Sequence, residues 1–252
     1  MSPWDPTVAR LTWHSVLGRR RALVLLLLPV ALLALCALAR ALAALEGGDA
    51  EVSDALAVDL LAGFGLGVLM PLLGLIAGTG VIGPEIDEGS IVYLLTKPID
   101  RFTIVLTKLG VAVAVVLLLG VLPVAASGLV LTGELDLVTA GFTVGALSGG
   151  LAYCALFLLL AVVTRHAVVV GLIYALVWES VVGQFVPGVQ NLSAQQWSLA
   201  TVVGVFGDDA ERLELSAAVG PATGWVLLVV VAVGSTVYAG LRLRRLRLGA
   251  EV

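Results

Sequence analysis

Apolar residues run along this chain in long blocks separated by short charged stretches. They follow neither the alternation of a half-buried strand nor the one-sided stripe of a surface helix. Six blocks approach or exceed the roughly 20 residues that cross a bilayer as a helix: Ala22 to Ala43, Leu60 to Ile82, Leu109 to Leu131, Val138 to Val163, Ala167 to Val186 and Ala222 to Leu241. An open strand would leave its backbone unsatisfied in lipid, so helices are expected. The pattern predicts an all-α integral membrane fold with six transmembrane helices. The first block follows Arg19, Arg20 and Arg21, is long and Leu-rich, and lacks a small-residue cleavage site. It reads as a retained span rather than a signal peptide.

Between the blocks, three segments have patterns of their own. Residues 1–21 place Val8, Leu11 and Val16 on one side, with Trp4 and Trp13 suited to the headgroup level. That is the pattern of an N-terminal interfacial helix on the membrane. Residues 188–220 form a long loop in which NLSAQQWSLATVVGVFG predicts a short helix capped by Ser193 and broken by Gly207. Such a helix could re-enter the membrane or lie on its surface. The third segment, Gly83 to Lys108, reads GPEIDEGSIVYLLTKPIDRFTIVLTK and is discussed below.

Composition agrees with a membrane solvent: 60% of the 252 residues are hydrophobic and 13% are charged. Cys36 and Cys154 both fall inside apolar runs and read as small buried hydrophobes. Neither a disulfide nor a metal framework is indicated. A net charge of −4 gives no reason to expect nucleic-acid binding. Its distribution is more useful. With both ends in the cytoplasm, the inner side receives Arg10, Arg19, Arg20, Arg21, Lys97, Arg101, Lys108, Arg165, Arg242, Arg244, Arg245 and Arg247, while the outer side keeps Arg212. The outer loops are acidic, with Glu46, Asp49, Glu51 and Asp54 in the first, Glu134 and Asp136 in the second, and Asp208, Asp209, Glu211 and Glu214 in the third. This asymmetry follows the positive-inside rule and places Gly83 to Lys108 in the cytoplasm.

That segment reads as a docking element. Pro84 suits the first turn of a short helix, where its missing N–H is harmless, and Glu85, Asp87 and Glu88 favour the positive end of the helix dipole. Gly89 permits a sharp change of direction. Ser90 could cap a second turn with Ile91, Leu94 and Leu95 on its apolar face and Pro98 as its end. An apolar ridge framed by charge fits a groove on a soluble partner; the alternative is a loop lying on lipid headgroups.

The segment resembles the loop between the second and third spans of type-2 ATP-binding cassette (ABC) exporter permeases. That pattern is roughly E-x-E-x-G-[ST]-x-x-x-L-L-x-x-P-[IV]-x-R with a later Lys. Glu85, Asp87, Gly89, Ser90, Leu94, Leu95, Pro98, Ile99, Arg101 and Lys108 fill its places, with Asp87 standing where the pattern has Glu. GRRR before the first span, WES in the fifth and VPGVQNLS after it look like actinobacterial-style members, so the resemblance extends along the chain. It implies that residues 22–252 form a permease domain in the plasma membrane. It also implies a coupling helix between spans 2 and 3, with Glu85, Asp87, Glu88, Gly89, Ser90, Leu94, Leu95, Pro98 and Arg101 coupling to two copies of an ABC ATPase subunit. The implied second permease chain is identical or related. A P-loop needs Gly-x-x-x-x-Gly-Lys-[Ser/Thr], whereas Lys97 is followed by Pro98 and Lys108 by Leu109. No cofactor is therefore expected in this chain, and ATP and Mg²⁺ would belong to the partner ATPase. The same loop would also serve a non-transporting membrane partner that passes ATPase motion to an outer-face protein.

Two intramembrane residues stand out. Ser148, in the run GALSGG, faintly suggests an intramembrane hydrolase, but His14 and His166 sit near the cytoplasmic edge and small residues in spans usually serve packing. Glu179 lies about 18 Å along the fifth span at 1.5 Å per residue. A carboxylate at the bilayer centre costs about 3 kcal/mol on insertion scales, so it should face protein or water and could support an outer gate. Its candidate partners are Arg40, Trp178, Gln184 or a backbone group; Arg40 is about 27 Å along the first span.

Overall fold

The computed structural model describes residues 6–16, 19–45, 52–87, 100–182 and 188–245, and these are helical with no strand among them. Helix α1 spans Pro6–Val16 and α2 Arg19–Leu45. Helix α3 joins Asp54–Leu60, a π-helical Leu61–Leu69 and Met70–Gly80, and a turn then leads into the short α4, Gly83–Asp87. Helix α5 joins Arg101–Val116, a π-helical Leu117–Val121 and Leu122–Thr132. Helix α6 is Leu137–Val163, and α7 joins Ala167–Ile173 to a π-helical Tyr174–Val182. Then come α8, Ala194–Phe206, the single turn α9, Asp209–Arg212, and α10, Pro221–Arg245.

Prolines explain two of the three π segments. Pro71 and Pro123 each sit one residue into the α-helical stretch after a π segment. A proline inside a helix has no N–H to give and its ring presses on the carbonyl four residues back. Widening the preceding turn to π geometry relieves both effects. Nothing in the sequence explains the π geometry of Tyr174–Val182.

Five helices are long and apolar enough to cross a membrane among the described residues, within α2, α3 with α4, α5, α6 and α10. The predicted fifth block is seen as α7, whose seven α-helical and nine π-helical residues rise at most about 24 Å, short of the bilayer core. Its predicted end, residues 183–186, lies outside the described residues. The chain presents apolar side chains outward, including Leu27, Val30, Val168, Ile173, Val229 and Val233. Outward apolar side chains on helices of this length are what lipid, rather than water, solvates.

At the centre stands α6, which touches α3, α5, α7, α8 and α10. Small residues bring these backbones together, as expected where lipid supplies no hydrophobic drive between helices. A Cβ on Gly78 would lie 2.9 Å from the Cys154 carbonyl oxygen, and one on Gly74 would lie 2.5 Å from the Tyr153 Cβ, so α3 and α6 meet nearly backbone to backbone. On another side of α6, Gly141, Gly145 and Gly149 admit Phe206, Val202 and Ser198 of α8. The helix predicted in residues 188–220 is therefore present, with Ser193 accepting a hydrogen bond from the Gln196 amide and Gly207 at its end at φ 57°. It runs antiparallel to α6 from the level of Tyr153 to that of Gly141, packed between α6 and α10 rather than lying loose at one end.

The N-terminal helix departs from its predicted facing. Val8 and Thr12 are buried, one turn apart on a single face, while Leu11 is 64% exposed. Thr12 turns inward because its hydroxyl is satisfied there, donating to the Val8 carbonyl at 2.8 Å. Trp13 is half-buried, and Trp4 lies outside the described residues.

Two glycines of α3 give opposite expectations. Gly78→Ala should lower the thermal midpoint in detergent, because overpacking against a backbone oxygen costs about 1–3 kcal/mol and exceeds the roughly 0.5–1 kcal/mol that Ala gains over Gly in a helix. A Cβ on Gly63 meets nothing within 4 Å, so Gly63→Ala should leave the midpoint unchanged or slightly raised.

Candidate functional site

Two polar clusters interrupt the apolar bundle, one at its end and one at its middle. The first is built on Lys108, in the second turn of α5 and 0% exposed. Its Nζ donates to Glu85 Oε1 on α4 at 2.7 Å, to the Val81 carbonyl in the turn after α3 at 2.6 Å, and to Thr12 Oγ1 on α1 at 3.5 Å. A buried ammonium is tolerated only when paired and hydrogen-bonded, and here its three donors have three acceptors from separate elements. Nearby, Arg244 of α10 pairs with Asp100 at 3.0 Å and lies 4.6 Å from the centroid of the Phe102 ring. Gly240 packs flat on that ring, where its own Cβ would fall 2.4 Å from Phe102 Cε1. This end therefore gathers α1, α4, the start of α5 and the end of α10.

The opposite end gathers the described acidic positions, from Asp54 to the loops of residues 134–136 and 208–214. Arg40 donates to the Val130 and Leu131 carbonyls at 2.7 and 3.3 Å, and Arg212 pairs with Asp54 at 3.6 Å on the surface. Among the described residues, Lys108 and Arg244 thus lie at one end and Asp54, Asp136 and Asp209 at the other.

The second cluster is built on Glu179, 3% exposed in the π-helical part of α7. Its Oε1 accepts from the Tyr153 hydroxyl of α6 and from the Ala194 amide, both at 3.1 Å. Its Oε2 accepts from the Ser193 hydroxyl and from the Gln195 amide at 3.3 Å. The carboxylate therefore sits on the N-terminus of α8, where free amides and the positive end of the dipole favour a negative charge. Ser193 has two partners, accepting from the Gln196 amide at 3.3 Å while donating to Glu179. Gln195 reaches the other way, toward the Ala62 carbonyl in the π segment of α3 at 3.5 Å. Tyr153, Phe157 and Tyr174 make an aromatic column beside the carboxylate, with successive ring centroids 6.0 Å apart.

Glu179 thus faces protein, and among its proposed partners the backbone group is the one found. Arg40 is not that partner. Its guanidinium lies at the C-terminus of α5, beside Gly133 at φ 82°, where unmade carbonyls and the negative end of the dipole attract a cation. Gln184 lies outside the described residues. Ser148 donates to the Gly145 carbonyl at 3.1 Å and shares a 3.0 Å hydrogen bond with Thr201, joining α6 to α8. Those are packing contacts, not a nucleophile with its base.

Of the coupling residues, Glu85 lies in the first turn of α4 as predicted, but its Oε1 is turned inward to Lys108. Asp87 closes α4, and Arg101 opens α5 half-buried. Glu88, Gly89, Ser90, Leu94, Leu95 and Pro98 lie outside the described residues. Thr12 and Tyr153 were not singled out by sequence, since each acts across a fold contact with a residue on another helix. Lys108 carried a visible signal: it is a lysine at the edge of an apolar block, one turn inside what becomes a buried helix face.

The family model described as ABC-2 family transporter protein matches residues 7–204, a stretch that includes both clusters. No curated protein matches the chain.

The Glu179 cluster predicts a graded series. Tyr153→Phe removes one donor and should destabilise by about 1 kcal/mol. Glu179→Gln keeps the shape but turns an NH₂ group toward N–H donors, and should cost about 1–3 kcal/mol. Glu179→Leu leaves the start of α8 without its acceptor and should cost more than either. Thermal unfolding in detergent, with proteolysis at residues 188–193 as a local probe, checks the order.

Proposed function

The chain belongs to the ABC-2 family of transporter proteins, and from that premise we propose that it is the permease subunit of an ATP-driven exporter, coupled to a separate ATPase through residues 83–108. The family match over residues 7–204 carries this reading, because it spans the segment whose sequence resembles a coupling helix. In this reading the fifth apolar block, of which α7 is the described part, is a sixth crossing. The basic end of the bundle, with α1, Lys108 and Arg244, is cytoplasmic by the positive-inside rule, and α8 re-enters from the outer face. Re-entry is supported by its packing along the outer half of α6 and by the polar groups at its inner tip, which are satisfied within the protein as lipid requires.

The apolar ridge of Leu94 and Leu95 enters the ATPase cleft, and Glu88 and Arg101 frame it. Glu85 acts from inside, by fixing where the segment leaves α3. Two permease chains, in cyclic symmetry or as a pseudo-symmetric pair of related chains, stand over two ATPases, since one chain offers no twofold cleft. Glu179 holds the inner tip of α8 against α6 and α7. The N-terminus of α8 is thereby part of the outer gate rather than a free loop.

Replacing Leu94 and Leu95 together by Ser tests the coupling role. Membrane insertion should be unchanged, because neither residue lies in a span, while co-purification of the ATPase and its permease-stimulated ATP hydrolysis should fall at least about tenfold, the loss of roughly 1.4 kcal/mol or more. Unchanged association and hydrolysis would refute the assignment. Cross-linking of the active complex should recover permease dimers.

A further inference from the structure

We infer that Lys108 is a positioning residue which locks the N-terminal helix to the start of the coupling segment, so that α1, the end of α3 and α4 move with α5 as one unit. The inference rests on the permease reading for its consequence in ATP coupling, but its geometric core stands on the contacts alone.

A lysine side chain that merely anchored a helix end would extend to water or to lipid headgroups, as long basic side chains near helix ends do. Lys108 does neither. It is 0% exposed, and its ammonium lies where α1, the α3–α4 turn and α4 converge. Each of its partners sits in a stretch held by further hydrogen bonds. Thr12 receives from Nζ and passes its own proton to the Val8 carbonyl, so the hydroxyl is oriented along α1. The Val81 amide donates to the Ala77 carbonyl at 3.2 Å, continuing α3 into the turn, and the Ile86 amide donates to the Ile82 carbonyl at 3.2 Å, carrying that turn into α4. The ammonium is thus the common donor to oriented groups from three other elements. Hydrogen bonds in such a low-dielectric network reinforce one another, and loss of one member weakens the others.

The residues joined are far apart in sequence, 96 positions from Thr12 to Lys108 and 23 from Glu85 to Lys108. Thr12 and Glu85 are therefore coupled through the lysine rather than by chain connectivity. Movement of α4 by an attached ATPase would be passed to α1, and α1, with Leu11 facing outward, would carry it to the membrane surface.

Hydrogen–deuterium exchange of the full chain in lipid nanodiscs gives a readout that a purely local role would not move. Glu85→Gln, at a partly exposed position that keeps an acceptor oxygen but removes the charge, should raise exchange in residues 6–16 at least about fivefold, as well as in 83–87. Thr12→Val should raise exchange in 83–87 by a smaller factor. The double variant should be less than additive, as expected for partners in one network. Lys108→Met should reproduce the double variant; if it fails to accumulate, the Glu85 and Thr12 variants carry the test. In complex with the ATPase, Glu85→Gln should leave co-purification within about twofold and lower permease-stimulated hydrolysis at least about fivefold, a loss near 1 kcal/mol. Exchange in residues 6–16 that stays within twofold of wild type under Glu85→Gln, or strict additivity of the pair, overturns the inference. Loss of the interlock on exchange with undiminished stimulated hydrolysis overturns its role in coupling. If Leu94 and Leu95 prove dispensable while the exchange result holds, the permease assignment of the segment fails and the interlock survives.

Discussion

A polar group placed among apolar helices must find its partners inside the protein, and that requirement organises this structure more than any hydrophobic contact does. Helices in lipid gain little from burying Leu against Leu, since the tails they displace are just as apolar. What fixes one helix against another is close packing at small residues and the obligation of each buried charge. Lys108 and Glu179 carry that obligation here. Each is nearly inaccessible, and each is satisfied by groups from at least two other elements. Moving any of those elements would strand a charge.

The sequence made the solvent and the spans legible, because block length and charge placement are local properties that need no fold to be read. It also located the α8 helix, since Ser193 and Gly207 are end signals that act within a few residues of themselves. Fold contacts were another matter. Arg40 and Glu179 lay at depths that long side chains could bridge, yet the arginine goes to the α5 C-terminus, because depth along two helices does not say whether they are neighbours. Leu11 looked like the partner of Val8 on an apolar side, and the inward place went instead to Thr12, whose hydroxyl had a buried ammonium to meet. Glu85 read as a first-turn carboxylate of the docking element, and the partner it meets is a lysine 23 residues away that its place in the motif does not name.

The small residues of α6 were legible as packing residues but not as two separate seams. Gly141, Gly145 and Gly149 recur every four residues and so share one face, which α8 occupies. Gly150, one residue on, faces Met70 of α3. One helix thus serves two neighbours by setting glycines on adjacent faces. That division explains why α8 reaches the middle of the bundle: the glycine face is deep enough to hold Phe206, Val202 and Ser198 in sequence, and Tyr153 stands where the face ends, offering its hydroxyl to the carboxylate that receives the helix tip.

Helix α3 touches both polar clusters, and its construction limits how it could respond to either. At one end the Val81 carbonyl is held by Lys108; about 21 Å back along the helix, Gly67 lies against the Gln195 side chain, next to the amides that bind Glu179. Between them, Gly74 and Gly78 are seated against α6 at distances that leave no room for a rigid rotation of this stretch. The π segment Leu61–Leu69 is packed as well, with Leu61, Leu66 and Leu69 buried, but a Cβ on Gly63 would meet nothing within 4 Å and the proline at 71 has set the hydrogen bonds out of α register. A push on α4 is therefore resisted over Met70–Gly80 by the close seat on α6. Helix α3 is thus regular and seated backbone to backbone on α6 toward the basic end, and π-helical where it meets the tip of α8.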